Sequence, residues 1–186
     1  MHMADNQIYN RKLQNAELGR ISPEEYRKLP SSGVVLVLDN IRSAHNVGSA
    51  FRTSDAFQVD KIYLCGICAT PPSAEIHKSA LGAEDSVLWE KVQDTLSLVR
   101  SLKEDGYTVV SVEQTQKSLM LNEFTPSKEK KYALVFGNEV AGVNQGVVDE
   151  SDFSLEIPQW GTKHSLNVSV SVGVVLWHMR NALMPK

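Results

Sequence analysis

An α/β fold, with a mainly parallel sheet flanked by helices, is predicted by three features of the sequence. Short apolar runs rich in β-branched residues alternate with longer amphipathic stretches, which is the pattern of repeated β-α units. The run Val34-Val35-Leu36-Val37-Leu38 is apolar without alternation, as suits a strand covered on both faces. Three of the runs empty into loops of Gly, Asn, Ser or Glu, and strand-end loops are where α/β folds bind ligands.

Each element follows in order. Residues 4 to 29 read as polar and helical, with Ser22 as N-cap and Pro23 in the first turn of a helix. Pro30-Ser31-Ser32-Gly33 breaks the chain before the strand at 34–38. After Asp39-Asn40 a helix begins near Asn46, with Val47, Ala50, Phe51 and Ser54 on its packed stripe and His45, Ser49 and Arg52 on another face. Further strands are expected at 61–65, 107–112, 132–136 and 153–157, a short helix at 73–81, and a longer one at 95–104 stopped by Asp105-Gly106. The last helix, 165–181, carries two apolar stripes: Val168, Val172, Val175, Leu176 and Met179 on one side, and Leu166, Val170, Gly173, Val174 and Trp177 on another. A helix apolar on two sides is buried on two sides, so a second subunit is expected against the side that the sheet does not cover. With no repeat or linker in view, residues 1–32 read as an N-terminal helical extension and 33–186 as one domain.

The chain has 186 residues, 42% of them hydrophobic and 22% charged, with a formal net charge of −3. That balance argues against gripping nucleic acid by bulk positive charge, although a local patch would serve. Arg11, Lys12, Arg20, Arg27 and Lys28 interleave with Glu17, Glu24 and Glu25 and read as a solvated face; Arg42 and Arg52 are the other basic candidates. The apolar runs are too short to span a bilayer, and the first residues lack a signal pattern, so a cytoplasmic location without membrane attachment is expected. Cys65 and Cys68 form a C-x-x-C pair, but only His77 lies near as a further zinc ligand. Ala69-Thr70-Pro71-Pro72 follows where a redox motif would open a helix. Buried thiols and no metal are the expectation.

The polar loops do not match common nucleotide sites. Gly161-Thr162-Lys163-His164-Ser165 fails the Walker A spacing, and Asp39-Asn40-Ile41-Arg42-Ser43 has no glycine for a dinucleotide turn. No Gly-x-Ser-x-Gly elbow occurs, and adjacent His164 and Ser165 make a poor hydrolase pair. What the loops offer is main-chain donors and acceptors near glycines, suited to an adenosine-like ligand, with Asn46, Arg52, Glu139, Ser165 and Asn167 as a polar cluster around it.

These segments resemble the SpoU (TrmH-like) family of RNA 2′-O-ribose methyltransferases, of the SPOUT class. The first, through Asn46, Gly48 and Arg52, is similar to the family pattern N…NxGxxxR; the second, through Gly137, Glu139 and Gly142, to GxExxG; the third, through Ile157, Pro158, Gly161, Ser165, Leu166 and Asn167, to IPxxG…SLNVSVA. Thr70-Pro71 and Lys78 to Glu84 add a further stretch, and the likeness runs from about residue 33 to 182. The resemblance implies a SPOUT fold with a C-terminal deep trefoil knot, a homodimer, and S-adenosyl-L-methionine (AdoMet) as methyl donor. It implies donor contacts from Gly137, Asn138, Glu139, Gly142, Ile157 and Leu166, with Val112-Glu113-Gln114 as a further wall. Arg52, Asn46, Glu139, Ser165 and Asn167 would form the catalytic group. The family proposal makes Arg52 the base. Guanidinium normally stays protonated, so Arg52 is expected to be essential without its proton role being fixed. Glu139 is the alternative carboxylate base, or else it holds Arg52 or Asn46 by charge-assisted hydrogen bonds. Ser165 and Asn46 double as candidate helix caps. Gln159-Trp160 departs from the usual Met and small residue, which bears on pocket shape. The RNA is expected to be tRNA rather than rRNA. A non-catalytic RNA-binding relative of the same fold is the alternative.

Overall fold

A computed structural model describes residues 10–183. Residues 1–9 and 184–186 lie outside the described residues, and the first part of the expected N-terminal helix falls among them. From 10 to 29 the chain is mostly irregular. It holds a single 3-10 turn at Asn15–Glu17 and one short helix, α1 (Pro23–Tyr26). The long polar helix expected there is therefore corrected to a capped single turn. Ser22 and Glu25 form a reciprocal capping box, but no residue of α1 is buried, and a helix without a packed face gains little in water. Tyr26 pins the segment by donating its hydroxyl to Ser54 O (3.2 Å) and Val59 O (3.3 Å).

The domain follows as β1 (Val34–Asp39), α2 (Ala44–Ala56), β2 (Lys61–Cys65), α3 (Ala74–Ala80), α4 (Ala83–Ser86), β3 (Leu88–Val92), α5 (Thr95–Glu104), β4 (Tyr107–Val112), β5 (Leu119–Met120), β6 (Lys131–Phe136), α6 (Gln145–Glu150), β7 (Phe153–Glu156) and α7 (Val168–Leu183). The seven strands form one sheet in the order β3-β2-β1-β6-β4-β7-β5. Every pairing is parallel. In β1, Leu36 pairs with Ile62 on one side and Leu134 on the other.

The unbroken apolar run of β1 has the reason the sequence suggests. Val34, Leu36 and Leu38 enter one core with Phe51 of α2, Ile76 of α3, and Val172, Val175, Leu176 and Met179 of α7. Val35 and Val37 enter the opposite core with Val99 and Leu102 of α5 and Val147 of α6. Truncating any of these to alanine costs about 2–5 kcal/mol for a leucine and less for a valine. Gly48 explains the glycine of the first motif: a Cβ there would sit 2.1 Å from Ser79 Oγ and 2.4 Å from Ile76 O, so only glycine lets α2 lie this close to α3.

The expected boundaries need two changes. The last helix begins at Val168, not Ser165, because Asn167 ends the loop: its Oδ1 accepts from Ser169 N at 2.8 Å. Asn46 is not an N-cap either. Ser43 caps α2, its Oγ accepting from Asn46 N at 3.2 Å. The elements α4, β3, β5 and α6 were not anticipated. They are short or at an edge, and their burial alternates too weakly to mark them. Among the described residues no helix is long and apolar enough to cross a membrane.

Candidate active site

The carboxyl ends of β1, β4, β6 and β7 point to one end of the sheet, and the polar segments leave the strands there. The first, 40–43, turns sharply at Asn40 (φ 58°), whose Oδ1 accepts from Ile67 N at 3.1 Å. The second, 137–144, folds back on itself, with Asn138 N donating to Gly142 O at 3.0 Å and Gly142 N to Asn138 O at 2.9 Å. Asn138 also donates from Nδ2 to Asn40 O at 2.7 Å, binding the second segment to the first. Gly142 has φ +70°, and a Cβ on it would meet Glu113 Oε2 at 2.3 Å. The positive φ favours glycine at this motif position, and a Cβ would also displace the Glu113 carboxylate.

Glu139 is the main tie between segments. Its Oε2 accepts from Arg42 N, and its Oε1 from Ser43 N and from Asn46 Nδ2, all at 3.0 Å. Asn46, 7% exposed, accepts in turn from Asn167 Nδ2 at 3.2 Å, which brings in the third segment. Burial raises the Glu139 pKa, but the donors from Arg42, Asn46, its own backbone and Ser43 outweigh that, and the net value lies below the ordinary carboxylate range. A carboxylate so occupied is a weak proton acceptor and a good brace.

Two more carboxylates support the second segment from below. Glu113 Oε2 accepts from Val143 N at 2.9 Å. Asp39, 2% exposed at the end of β1, accepts from Asn144 N at 3.1 Å and from Thr95 Oγ1 at 2.6 Å. The third segment is held to the end of β4 by Gln114 Nε2, which donates to His164 O at 2.9 Å.

Between the segments lies an open cavity of about 670 Å³. Gly137, Asn138, Glu139, Gly142, Ile157, Ser165, Leu166 and Asn167 line it, as do Glu113, Gln114, Gln159 and His164. Three lining residues are glutamates, Glu113, Glu139 and Glu156, and no described lysine or arginine lines it. Such a cavity fits a ligand of nucleoside size carrying positive charge. The structure therefore brings together every expected site residue but two. Asn46 lies behind the wall, joined to it through Glu139 and Asn167. Arg52 is exposed and absent from the lining, six residues beyond Asn46. That spacing puts it about 9 Å farther along α2 and about a third of a turn away. Sequence reasoning missed Asp39, Thr95 and Asn144, although an aspartate ending a fully apolar strand was a usable signal.

Cys65 and Cys68 are buried free thiols. Cys68 Sγ donates to Leu38 O and accepts from Ile41 N, and His77 pairs with Glu84 instead of approaching them. Burial pushes the Cys65 pKa up to about 12 and the Cys68 pKa up to about 11. Among the described residues no group of three or more His, Cys, Asp or Glu is placed to hold a metal ion.

Residues 33–177 match the model of the SpoU rRNA Methylase family. The chain belongs to that family. This SpoU-family chain is 31% identical over 145 residues to the tRNA (guanosine(18)-2′-O)-methyltransferase of Aquifex aeolicus, covering 77% of itself and 67% of that protein. It is 32% identical over 147 residues to the 23S rRNA (guanosine-2′-O-)-methyltransferase RlmB of Neisseria meningitidis, covering 79% of itself and 58% of the relative. It thus spans less than two thirds of the length of some relatives. Among solved structures, an AdoMet-bound rRNA methyltransferase from Sinorhizobium meliloti superposes with a TM-score of 0.76 at 27% identity, over 89% of this chain and 62% of that one.

Proposed function

We propose that this protein transfers a methyl group from AdoMet to a ribose 2′-hydroxyl of RNA. The observation that carries the reading is the Glu139–Asn46–Asn167 string, which joins all three motif segments around a cavity of nucleoside size. The residues present fit the donor. Closely folded main chain around Gly137 and Gly142 supplies polar backbone groups, and the three glutamates suit a cationic ligand. When bound, AdoMet supplies a methyl carbon activated by the adjacent sulfonium, so the 2′-oxygen forms the new C–O bond while sulfur keeps the electron pair of the broken C–S bond.

The protein must align the reactants and dispose of the 2′ proton. Alignment alone contributes up to about 7–11 kcal/mol in favourable cases. Glu139, spent on three donors, holds the first segment rather than taking the proton. Ser165 and Asn167, at the cavity wall, position the hydroxyl. Arg52, exposed beyond the cavity, meets the RNA and orients a phosphate that accepts the proton. We read the C-terminal half as knotted and the protein as a cytoplasmic homodimer. Support for the knot is the packing of 157–167 against 113–114 beside the folded second segment. Support for the dimer is the outer stripe of α7, where Val170 and Trp177 are 50% and 62% exposed.

The reading favours tRNA over rRNA. The solved Aquifex aeolicus TrmH/SpoU tRNA modifying enzyme is matched over 81% of its length, against 62% for the Sinorhizobium rRNA methyltransferase. The test is calorimetric titration with AdoMet, then incubation with labelled AdoMet and purified tRNA or rRNA. Labelled nucleotides resistant to alkaline cleavage on their 3′ side are expected. No donor binding at millimolar concentration sinks the proposal, and label on rRNA alone sinks the tRNA choice.

A further inference from the structure

Trp160 is 92% exposed, more than any other large hydrophobic residue among the described residues. The other two tryptophans are placed differently. Trp89 packs against the core, and Trp177 lies against Phe57 with centroids 6.1 Å apart and the rings tilted by 58°. Trp160 has no ring or hydrogen-bond partner among the described residues. Its near neighbours in the chain are polar or small: Gln159, Gly161, Thr162 and Lys163. Nothing lies within 4 Å of where a Cβ on Gly161 would stand, so this stretch projects clear of the body. Yet Ile157, Gln159, His164 and Ser165, on either side of it, line the cavity. Trp160 therefore sits on a short tether between two stretches that line the cavity. Lys163 and Arg42, at the ends of neighbouring segments, enter no ion pair among the described residues.

We propose that Trp160 is a substrate-binding residue, the platform on which an unpaired base of the RNA stacks beside the ribose to be methylated. The proposal rests on the function given above and deepens it. An exposed aromatic ring among polar neighbours, with the unpaired cation Lys163 three residues on, is how proteins hold single-stranded nucleic acid: the ring takes the base face and the cation the backbone. The ring's neighbours Gln159, Gly161, Thr162 and Lys163 suit a nucleic-acid base better than the apolar surround that a protein partner meets. Because Trp160 is almost fully exposed, with no ring or hydrogen-bond partner among the described residues, its loss leaves fold and donor cavity intact.

The test uses the full chain, as wild type, Trp160→Ala and Trp160→Phe, with a short labelled oligoriboadenylate and with bulk tRNA. Trp160→Ala is expected to weaken oligoriboadenylate binding about 5- to 150-fold and to raise the KM for tRNA in step. Its kcat and AdoMet affinity stay unchanged, and Trp160→Phe retains most of the binding. Tryptophan fluorescence quenching by the oligonucleotide is seen in wild type and lost in Trp160→Ala. Equal RNA affinity and KM in wild type and Trp160→Ala overturns the proposal. So does a change of sedimentation without a change of RNA affinity, which assigns the ring to contact between copies. If wild type binds no AdoMet, the methyltransferase reading fails, and quenching still decides the stacking.

Discussion

Replacing Glu139 by alanine removes the acceptor of three hydrogen bonds at once, from Arg42 N, Ser43 N and Asn46 Nδ2. Bonds to a charged acceptor are worth about 1.5–3 kcal/mol each when sheltered. Glu139 is solvent-exposed, so screening reduces each to about 1 kcal/mol, and the set to roughly 2–3 kcal/mol. For a domain of this size that lowers Tm by about 5–10 °C. Thermal unfolding by circular dichroism measures it, with AdoMet titration in parallel, and the loosened segments should also cost donor affinity. Glu139→Gln discriminates between a carboxylate and any polar group. With its oxygen kept toward Ser43 N and Asn46 Nδ2, its amide nitrogen would face Arg42 N, donor against donor, so it should lose at least that bond's share, about 1 kcal/mol. The pH dependence has a definite sign. The folded pKa is depressed below the ordinary 4.5, so the stabilisation is fully present above that value and is lost as pH falls through the folded pKa. The gap between wild type and Glu139→Ala should be constant near neutrality and close in acid. A Glu139→Gln protein with the wild-type Tm and donor affinity would refute the reasoning.

Other outcomes follow from the same structure. Arg52→Ala should reduce methyl transfer by roughly a hundredfold or more with unchanged Tm and AdoMet affinity, because the side chain is exposed and unpaired among the described residues; an active variant rejects its role. Gly142→Ala forces a side chain into φ +70° and against Glu113, so calorimetry should show donor affinity falling about tenfold or more. Cys65 and Cys68 should resist a thiol reagent near neutral pH in the folded protein and both react in guanidinium, since burial holds their pKa at about 12 and about 11. On the proposed dimer, Trp177→Glu should shift sedimentation toward the monomer by charging the exposed stripe of α7, and a wild-type protein that sediments as a monomer rejects that proposal.

How much of this was legible in the sequence depended on how strongly burial constrained each segment. The central strands are covered on both faces and read as continuous apolar runs, so β1 and β6 were placed to within a residue or two. β3, at the edge and half exposed, mixes Leu88, Trp89, Glu90 and Lys91 and gives no period to read. Polar sequence at 10–29 mimics a helix because nothing in composition reports missing tertiary cover. The second apolar stripe of α7 was legible, but its burial was not: Val172, Val175, Leu176 and Met179 face the core, while Val170, Val174 and Trp177 remain exposed in the single chain. At the site, motif residues with side chains in the wall were found. Those acting from behind, such as Asp39 through Asn144 N, were not, because a backbone N–H leaves no mark on the sequence of its donor.

The strand order has a consequence for the protein during its synthesis. β1, β2 and β3 neighbour one another and leave the ribosome early, but the other partner of β1 arrives late: Val34 pairs with Tyr132. Until β6 emerges, the nascent chain carries a strand apolar on both faces with one hydrogen-bonding edge unfilled, the kind of surface that aggregates or recruits chaperones. The cavity comes later still, since its walls run from Val112 to Ser171 and α7 closes the core behind them. The half-made chain can gain nothing from the small molecule that will later fill the cavity, and must survive on β1–β3 and the helices already folded over them.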